Sequence, residues 1–200
     1  YGGELTECKS NIGAREEQAN EIRIRTGAIL IHSSNQLKVI LGQGTACLEF
    51  LEEVKEPDYI IVPVGGGGLI AGTALAAHYT NKNIEVIGAE PFGADDAYHS
   101  LKTGIIQPSV HPATIADGLR TNLGDVNFPI IRQLVKEIIR VEEDEIISSM
   151  RLIWERMKII IEPSSAVALA ALLKNKDRFK DKTSAIILSG GNVDLSNLPF

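Results

Sequence analysis

Short runs of apolar residues alternate along the chain with longer stretches in which apolar positions recur at helical spacing. The short runs lack the regular polar alternation of strands that have one face in water, which indicates strands covered on both faces. The predicted strands are residues 4–8, 28–32, 59–64, 85–89, 137–141 and 184–188. This alternation of elements predicts an α/β fold, with an open, mainly parallel, twisted sheet and helices on both of its faces.

The segments between these strands carry helical patterns. The predicted helices are residues 14–26, 44–54, 69–78, 143–159 and 166–173. The fourth helix has a buried stripe of Ile146, Met150, Ile153, Trp154 and Met157. Ser164 or Ser165 is expected to cap the last helix. Residues 42–44, which include two glycines, predict a break in the chain, and we place a domain boundary near residues 34–42.

Composition and charge exclude several classes of protein. A hydrophobic share of 44% over 200 residues is enough for a sizeable core, and a net charge of −6 without a Lys/Arg run disfavours nucleic acid as a partner. Apolar runs such as residues 59–64 and 159–161 are too short to cross a membrane. Cys8 and Cys47 have no metal or redox spacing, so we expect a reducing, cytoplasmic setting. The first residue is Tyr1 rather than Met, which indicates either processing or a fragment.

A run of glycines is the strongest local motif. It lies between a predicted buried strand and a predicted helix, and it consists of Gly65, Gly66, Gly67 and Gly68, followed by Leu69. Glycines let the backbone approach an anion closely, and the helix N-terminus adds the positive end of a dipole. The motif therefore predicts a phosphate site.

Two other interpretations of this motif remain open from the residues alone. The glycines could form a flexible turn without function. They also fit a loose dinucleotide fingerprint, Gly66-x-Gly68-x-x-Ala71, with Glu90 at the end of the next predicted strand where a ribose-binding acid belongs.

Further motifs follow in a fixed order along the whole chain. They are residues 64–69, Ala89-Glu90-Pro91 with Ala94 and Asp96, residues 115–118, residues 154–158, Ile161-Glu162-Pro163, and residues 188–192. Together they resemble the serine racemase and serine/threonine dehydratase family, a group of pyridoxal-phosphate enzymes with the tryptophan synthase β-like fold (fold type II). Residues 154–158 and the short extension after Asn192 resemble the racemase branch.

The resemblance implies a role for several residues around pyridoxal 5'-phosphate. Residues Gly65 to Gly68, with the backbone of Leu69, match the phosphate cradle of the family. Ser189 matches the residue whose hydroxyl faces the pyridine nitrogen, Gly118 a backbone position beside the ring, and Glu162 a carboxylate beneath it. For the substrate carboxylate, the matching residues are Arg15 and Thr121.

Two effector sites are also implied by the resemblance. Glu90, Ala94 and Asp96 match a divalent-cation site, and their hard oxygen ligands suit Mg²⁺ or Ca²⁺; a merely solvated acidic loop is the alternative. The residues that match contacts to an allosteric nucleotide, ATP, are Tyr1, Arg156, Lys158 and Asn192. A basic pair at the spacing of Arg156 and Lys158 is otherwise an ordinary helix face.

The chain departs from the family pattern in two respects. Ser34 stands at the position where the family has a residue that contacts the cofactor ring, and Asn35 follows one residue later. The chain therefore departs from the family at the contact to the ring hydroxyl. The Schiff-base lysine motif, Ser-x-Lys-x-Arg-Gly, and the serine of the opposite face do not occur in this chain.

We therefore expect residues 1–37 to be the tail of a small domain and residues 38–200 most of the large domain, with the sheet incomplete at the N-terminus. The 200 residues alone are expected to have no turnover and, with exposed sheet edges, to be marginally stable or prone to aggregation.

The resemblance thus implies a fragment of a pyridoxal-phosphate-dependent serine racemase with serine/threonine dehydratase (ammonia-lyase) activity. Its expected partners are a small amino-acid substrate, serine or threonine, and a second copy in a homodimer, with neither nucleic acid nor membrane. A dehydratase without racemase activity and a non-catalytic, truncated cofactor-binding module are the alternatives.

Overall fold

The protein is described here as a computed structural model, which covers residues 2–9 and 11–200. Contacts between residues divide the chain into two compact units, Tyr1–His32 and Ser33–Phe200. The assignment of residues 1–37 to a small domain and 38–200 to a large one stays a prediction.

The first unit is built on helix α1, Ile12–Thr26. The helix begins where the side chain of Asn11 accepts a hydrogen bond from the Ala14 N–H at 2.8 Å, and it ends at Gly27, whose φ of 71° is left-handed. The strands predicted at residues 4–8 and 28–32 are wrong, because neither segment forms a strand in the described part of this unit. The apolar composition of residues 28–32 is not sufficient, since a strand also needs a neighbour for its backbone hydrogen bonds.

The second unit contains a parallel sheet. Its strands are β1 Tyr59–Pro63, β2 Glu85–Pro91, β3 Val135–Val141 and β4 Ser184–Ile186. Their order in the sheet is β3-β2-β1-β4, and every neighbouring pair is parallel. These are the last four predicted strands, so the predicted α/β class with a parallel sheet is confirmed.

Helices cover both faces of this sheet. They are α2 Leu37–Glu53, α3 Gly68–Thr80, α4 Asp96–Thr103, α5 Phe128–Leu134, α6 Glu143–Met157, α7 Pro163–Lys174 and α8 Lys176–Phe179. None of the helices in the described ranges combines the length and the apolar character needed to span a bilayer.

Three details of the helix prediction are wrong. Helix α2 begins at Leu37 and continues through residues 42–44, so the predicted break is absent from this described segment. Helix α7 begins at Pro163, so its N-cap position is Glu162, which makes no side-chain capping bond, and Ser164 and Ser165 lie inside the first turn. The sequence patterns also missed the short helices α4, α5 and α8, which have too few turns to establish a periodicity.

The hydrophobic core lies in two layers, one on each face of the sheet. Successive side chains of β1 alternate between them, with Ile60 and Val62 in the layer formed with α2, α3 and α5. Ile61 belongs to the other layer, formed with α6 and α7. This alternation is the two-residue period of a strand, and burial on both faces explains the continuous apolar run in the sequence.

Helices α2 and α3 approach each other closely at a pair of glycines. A Cβ atom at Gly44 would lie 2.7 Å from the carbonyl oxygen of Gly72, which is too short for a backbone contact. The two backbones can meet only because neither residue has a side chain. By contrast, a Cβ atom at Gly42 on the same helix would have no heavy atom within 4 Å.

Gly44→Ala and Gly42→Ala are therefore predicted to have opposite effects on stability. Gly44→Ala forces α2 and α3 apart and should lower the free energy of unfolding by about 1–3 kcal/mol. Gly42→Ala should raise it by about 0.5–1 kcal/mol, because alanine loses less backbone entropy in a helix. Urea unfolding of the two variants checks both signs, and equal effects would contradict the close helix contact.

Candidate active site

The order of the strands creates a crevice at the carboxyl end of β1. The connection from β1 leads to β2 through α3 on one face, while the connection from β3 to β4 runs through α6 and α7 on the other. Strand β1 therefore lies where the connections diverge, and ligands of open α/β sheets bind beyond the carboxyl ends of strands at such a point. Both the glycine loop, which follows β1, and Ser189, which follows β4, lie at this end.

The glycine loop has a shape that side chains would prevent. Gly67 has a φ of 82°, and helix α3 begins at the next residue, Gly68. A Cβ atom at Gly66 would lie 2.8 Å from Cβ of Ser34, and one at Gly68 would lie 2.9 Å from Cα of Ser34. The loop is thus a tight backbone turn at a helix N-terminus, which can hold a phosphate through N–H groups and the helix dipole.

A single cleft brings together most of the residues predicted to contact the cofactor. It is lined by Ser33, Ser34, Gln43, Pro63, Gly65, Gly66, Gly67, Gly68, Leu69, Ile70, Gly118, Leu119, Thr121 and Ser189. The glycine loop, Gly118, Thr121 and Ser189 come from separate parts of the sequence. Their convergence on one cleft fits a phosphorylated ligand whose ring extends from the loop towards Ser189.

Ser189 is held in place by a serine that the sequence analysis did not select as a site residue. The buried Ser165 hydroxyl accepts a hydrogen bond from the Gly190 N–H at 2.7 Å and donates to the Gly190 carbonyl at 2.6 Å. Its oxygen also lies 3.3 Å from the Ser189 hydroxyl oxygen. Ser165 was considered only as a helix cap, and nothing in its local sequence points to the turn after β4.

Glu162 also contacts that turn. Its Oε2 atom accepts a hydrogen bond from the Asn192 N–H at 2.9 Å. The carboxylate is also near Gly118, because a Cβ atom there would lie 3.6 Å from Oε1 of Glu162. Glu162 therefore lies between Gly118 and the turn after β4, and its place beneath the ring stays a prediction.

Asn127 braces the glycine loop, and the sequence analysis missed it. It is fully buried, and its side-chain nitrogen donates to the Gly66 carbonyl at 2.7 Å. Its side-chain oxygen accepts from the Gly124 N–H at 3.1 Å. The only signal in the sequence is its place just before the Phe128–Leu134 helix, where a capping role is the ordinary interpretation.

Ser34 and Asn35, where the chain departs from the family pattern, have different surroundings in the structure. Ser34 lines the cleft, whereas the Asn35 side chain is directed at the loop after Leu123. Asn35 donates to the Asp125 carboxylate at 2.8 Å and accepts from the Val126 N–H at 2.9 Å. Of these two residues, Ser34 is therefore the one that lines the cleft.

The predicted cation ligands lie at the end of β2 and in the turn that leads from β2 to α4. Glu90 and Asp96 are both buried, and burial raises the pKa of Glu90 well above its usual value, with the Asp96 carboxylate adding to the shift. Burial also raises the pKa of Asp96 to about 7. The Leu123 N–H and the Ser109 hydroxyl lower that pKa in part, but within the described residues neither Asp96 oxygen completes a hydrogen bond.

The buried, unpaired oxygens of Asp96 beside the buried Glu90 carboxyl group fit a bound cation, because burying a charge without a partner is costly. Among the described residues, no cluster of three or more His, Cys, Asp or Glu side chains could hold a metal ion. A cation in this turn would therefore need the Ala94 carbonyl and water as further ligands.

The remaining predicted residues are Arg15 and the proposed nucleotide contacts. Arg15 is exposed on α1, in the other unit of the chain. Of the proposed nucleotide contacts, Tyr1 lies outside the described residues. Arg156 and Lys158 are exposed at the end of α6, where Lys158 donates to the Glu155 carbonyl at 2.7 Å, and Asn192 is exposed after β4.

Comparisons with known proteins agree with this cleft. The family model "Pyridoxal-phosphate dependent enzyme" matches residues 1–190. The chain is 52% identical to a serine racemase of Dictyostelium discoideum over 202 aligned positions, covering 99% of this chain and 62% of the relative. It is 43% identical to a β-hydroxyaspartate dehydratase of Paracoccus denitrificans (strain Pd 1222), covering 100% of this chain and 64% of the relative. A solved structure of maize serine racemase superposes with a TM-score of 0.93 at 44% identity, covering 98% of this chain and 61% of that one.

The cleft and the fold define a pyridoxal-phosphate-binding α/β protein of fold type II. This chain belongs to the pyridoxal-phosphate dependent enzyme family, and within it the chain is similar to serine racemases. It spans about three fifths of the length of the curated relatives that it matches.

Asn127→Asp is predicted to loosen the glycine loop. The substitution keeps the size of the side chain but replaces the donor to the Gly66 carbonyl with an oxygen, so the free energy of unfolding should fall by about 1–3 kcal/mol. Asn122→Asp is the matched control, because Asn122 uses its side-chain oxygen to accept from the Ser109 N–H at 2.8 Å, and aspartate keeps that acceptor. Urea unfolding compares the two, and an equal loss in both variants would contradict the bracing role.

Proposed function

We propose that the whole protein containing this chain is a pyridoxal-phosphate-dependent serine racemase that also dehydrates serine or threonine. The observation that carries the proposal is the cleft at the carboxyl end of β1, where a side-chain-free loop, Gly118, Thr121 and Ser189 converge. The names of the relatives support the same reaction class, since they include serine racemases and a dehydratase.

The cofactor would be held mainly by backbone groups. The N–H groups of Gly65 to Leu69 and the N-terminus of α3 would bind its phosphate, because the loop is a tight turn at a helix N-terminus in which a Cβ atom at Gly66 or Gly68 would clash with Ser34. Gly118 would lie beside the ring, and Glu162 beneath it. When bound, pyridoxal phosphate withdraws electrons from the substrate Cα and so makes its proton acidic.

Ser189 sets the electronic character of this site. A neutral hydroxyl facing the ring nitrogen stabilises a positive charge there less than a carboxylate would, which tempers the electron withdrawal. Ser165 keeps the turn that carries Ser189 fixed through its bonds to Gly190. Arg15 and Thr121 are proposed to bind the substrate carboxylate, Arg15 through a two-pronged contact of its guanidinium group.

The proton transfers need groups beyond these 200 residues. In the proposed whole protein, a lysine on one face of the substrate removes the Cα proton, and a serine on the other face returns one. Return of the proton on the opposite face gives the other enantiomer, whereas loss of the β-hydroxyl gives pyruvate and ammonia from serine. The 200 residues alone are proposed to have no turnover.

A divalent cation, Mg²⁺ or Ca²⁺, is proposed to bind Glu90, Asp96 and the Ala94 carbonyl. The unpaired, buried oxygens of Asp96 support this proposal. The cation would neutralise the two buried charges and so fix the turn after β2. A homodimer, a cytoplasmic location and an ATP site at Tyr1, Arg156, Lys158 and Asn192 are proposed from the family resemblance alone.

A dehydratase without racemase activity is the second candidate. The observation that favours it is the 43% identity to β-hydroxyaspartate dehydratase across the whole of this chain. Both activities would use the same cleft, so only the products separate them.

The test supplies the full-length protein with L-serine and follows D-serine and pyruvate together, with Mg²⁺ and with a chelator. We expect D-serine to form and Mg²⁺ to increase its rate, with the 200-residue chain inactive in the same assay. Pyruvate without D-serine would make the protein a dehydratase. Neither product from the full-length protein would favour a non-catalytic binding module.

Asp96→Asn should remove the stimulation by Mg²⁺, because it takes away one of the two carboxylate ligands. Asp177→Asn is the matched control, since Asp177 is exposed on α8. Its response to Mg²⁺ should equal that of the unsubstituted protein. If Asp96→Asn kept the full response, the cation site would have to be elsewhere.

A further inference from the structure

A side chain of strand β3 covers the turn that carries the proposed cation ligands. Arg140 is the register partner of Glu90 in the β2–β3 pair, and partners in a parallel pair project from the same face of the sheet. The Arg140 Nη1 atom lies 2.8 Å from Oδ2 of Asp95, which is the residue between Ala94 and Asp96. The guanidinium group thus reaches from the neighbouring strand to the middle of the turn.

Aromatic rings enclose the same guanidinium group. Its Cζ atom lies 3.9 Å from the ring centroid of Tyr98 and 4.4 Å from that of Phe92. Phe92 precedes the turn and Tyr98 follows it, so Arg140 contacts both ends and the centre. Only 26% of the Arg140 side chain is exposed, and contacts of this kind are stronger when water is excluded.

Glu90 also fixes the turn. The Glu90 carboxylate accepts hydrogen bonds from the Ala97 N–H at 3.1 Å and from the Tyr98 N–H at 2.8 Å. Glu90 and Arg140 therefore hold the same few residues from two neighbouring strands.

The adjacent carboxylates in this turn have different surroundings. Asp95 pairs with Arg140, and its Oδ2 atom also lies 3.1 Å from Nε2 of His99. Both oxygens of Asp96 are buried and lack a hydrogen-bond partner within the described part of the chain. Of these two adjacent aspartates, Asp95 is thus engaged by Arg140 and His99, whereas Asp96 has oxygens that a cation can bind.

We propose that Arg140, with Asp95, Phe92 and Tyr98, forms a clamp that positions the turn for divalent-cation binding. Arg140 is a positioning residue that does not touch the cation. It keeps the Asp95 carboxylate on the outside of the turn and the Ala94–Asp96 backbone in one conformation. This inference rests on the proposed cation site at Glu90, Ala94 and Asp96.

For the effect of removing Arg140 on cation affinity, the clamp and simple electrostatics predict opposite signs. Removal of a positive charge near a cation site should strengthen cation binding by reducing repulsion. If Arg140 instead positions the ligands, its removal should weaken binding, and loss of such supporting contacts commonly costs about 10–100-fold in metal affinity.

The experiment measures Mg²⁺ and Ca²⁺ binding to the full-length protein by isothermal titration calorimetry. Arg140→Met keeps the apolar stem but removes the charge and the planar group, and we expect about a tenfold or greater rise in Kd. Arg140→Lys keeps the charge but loses the planar stack and fork, and it should also weaken binding. Arg151→Met is the control, because Arg151 forms an exposed ion pair with Glu155 on α6, and its Kd should be unchanged.

The possible outcomes separate the clamp from the cation site. Unchanged or tighter binding in the Arg140 variants would overturn the clamp while leaving the cation site in place. Absence of cation binding by the unsubstituted protein would overturn the cation site itself. Circular dichroism and thermal unfolding identify a variant that does not fold, and Arg140→Lys, the milder change, then carries the test.

Discussion

The close approach of backbone at the carboxyl end of β1 is the constraint on which the rest of the site depends. Gly66 and Gly68 lie against Ser34 so tightly that a Cβ atom would clash, and Gly67 has a left-handed φ. The turn leaves its N–H groups and the start of α3 directed at one place beyond the sheet. Asn127 then fixes the Gly66 carbonyl from a distant loop. A phosphate site made of backbone requires this rigidity, because no charged side chain in the loop can compensate for a misplaced amide.

The two strands that flank β1 supply two further ligand-binding groups at the carboxyl end of the sheet. Strand β4 delivers Ser189 to the cleft, with Ser165 holding the turn behind it. Strand β2 delivers Glu90 and the turn with Asp96, with Arg140 of β3 holding that turn from outside. In both cases a proposed ligand-binding group is presented by one segment and immobilised by a residue far away in sequence. The strands therefore bring the proposed ligand-binding groups to this end of the sheet, and packed side chains hold those groups in the positions that a bound cofactor or cation needs.

The class of fold could be predicted because its signals are local. Continuous apolar runs at β1 to β4 and helical periodicity between them indicate a parallel sheet without any knowledge of contacts. The prediction failed at residues 4–8 and 28–32, because composition alone does not show whether a segment has a neighbouring strand to pair with. It also failed where glycines had a packing role. Gly44 was interpreted as part of a helix break, although its missing side chain is what lets α2 meet α3.

The candidate site divides in the same way. The glycine loop, Ser189 and the acidic turn are recognisable from their own sequence, and the cleft contains the first two together with Gly118 and Thr121. Local sequence does not reveal the supporting residues Asn127, Ser165 and Arg140, because each of them acts through a contact with residues distant in sequence. Arg140 reads as an ordinary charged strand residue until its register with Glu90 is known.

A crystal structure of the full-length protein with pyridoxal phosphate tests the central claim most directly. We predict that the phosphate oxygens lie within hydrogen-bond distance of the N–H groups of residues 65–69 and that the pyridine nitrogen faces the Ser189 hydroxyl. A phosphate bound elsewhere, or a ring turned away from Ser189, would contradict the account.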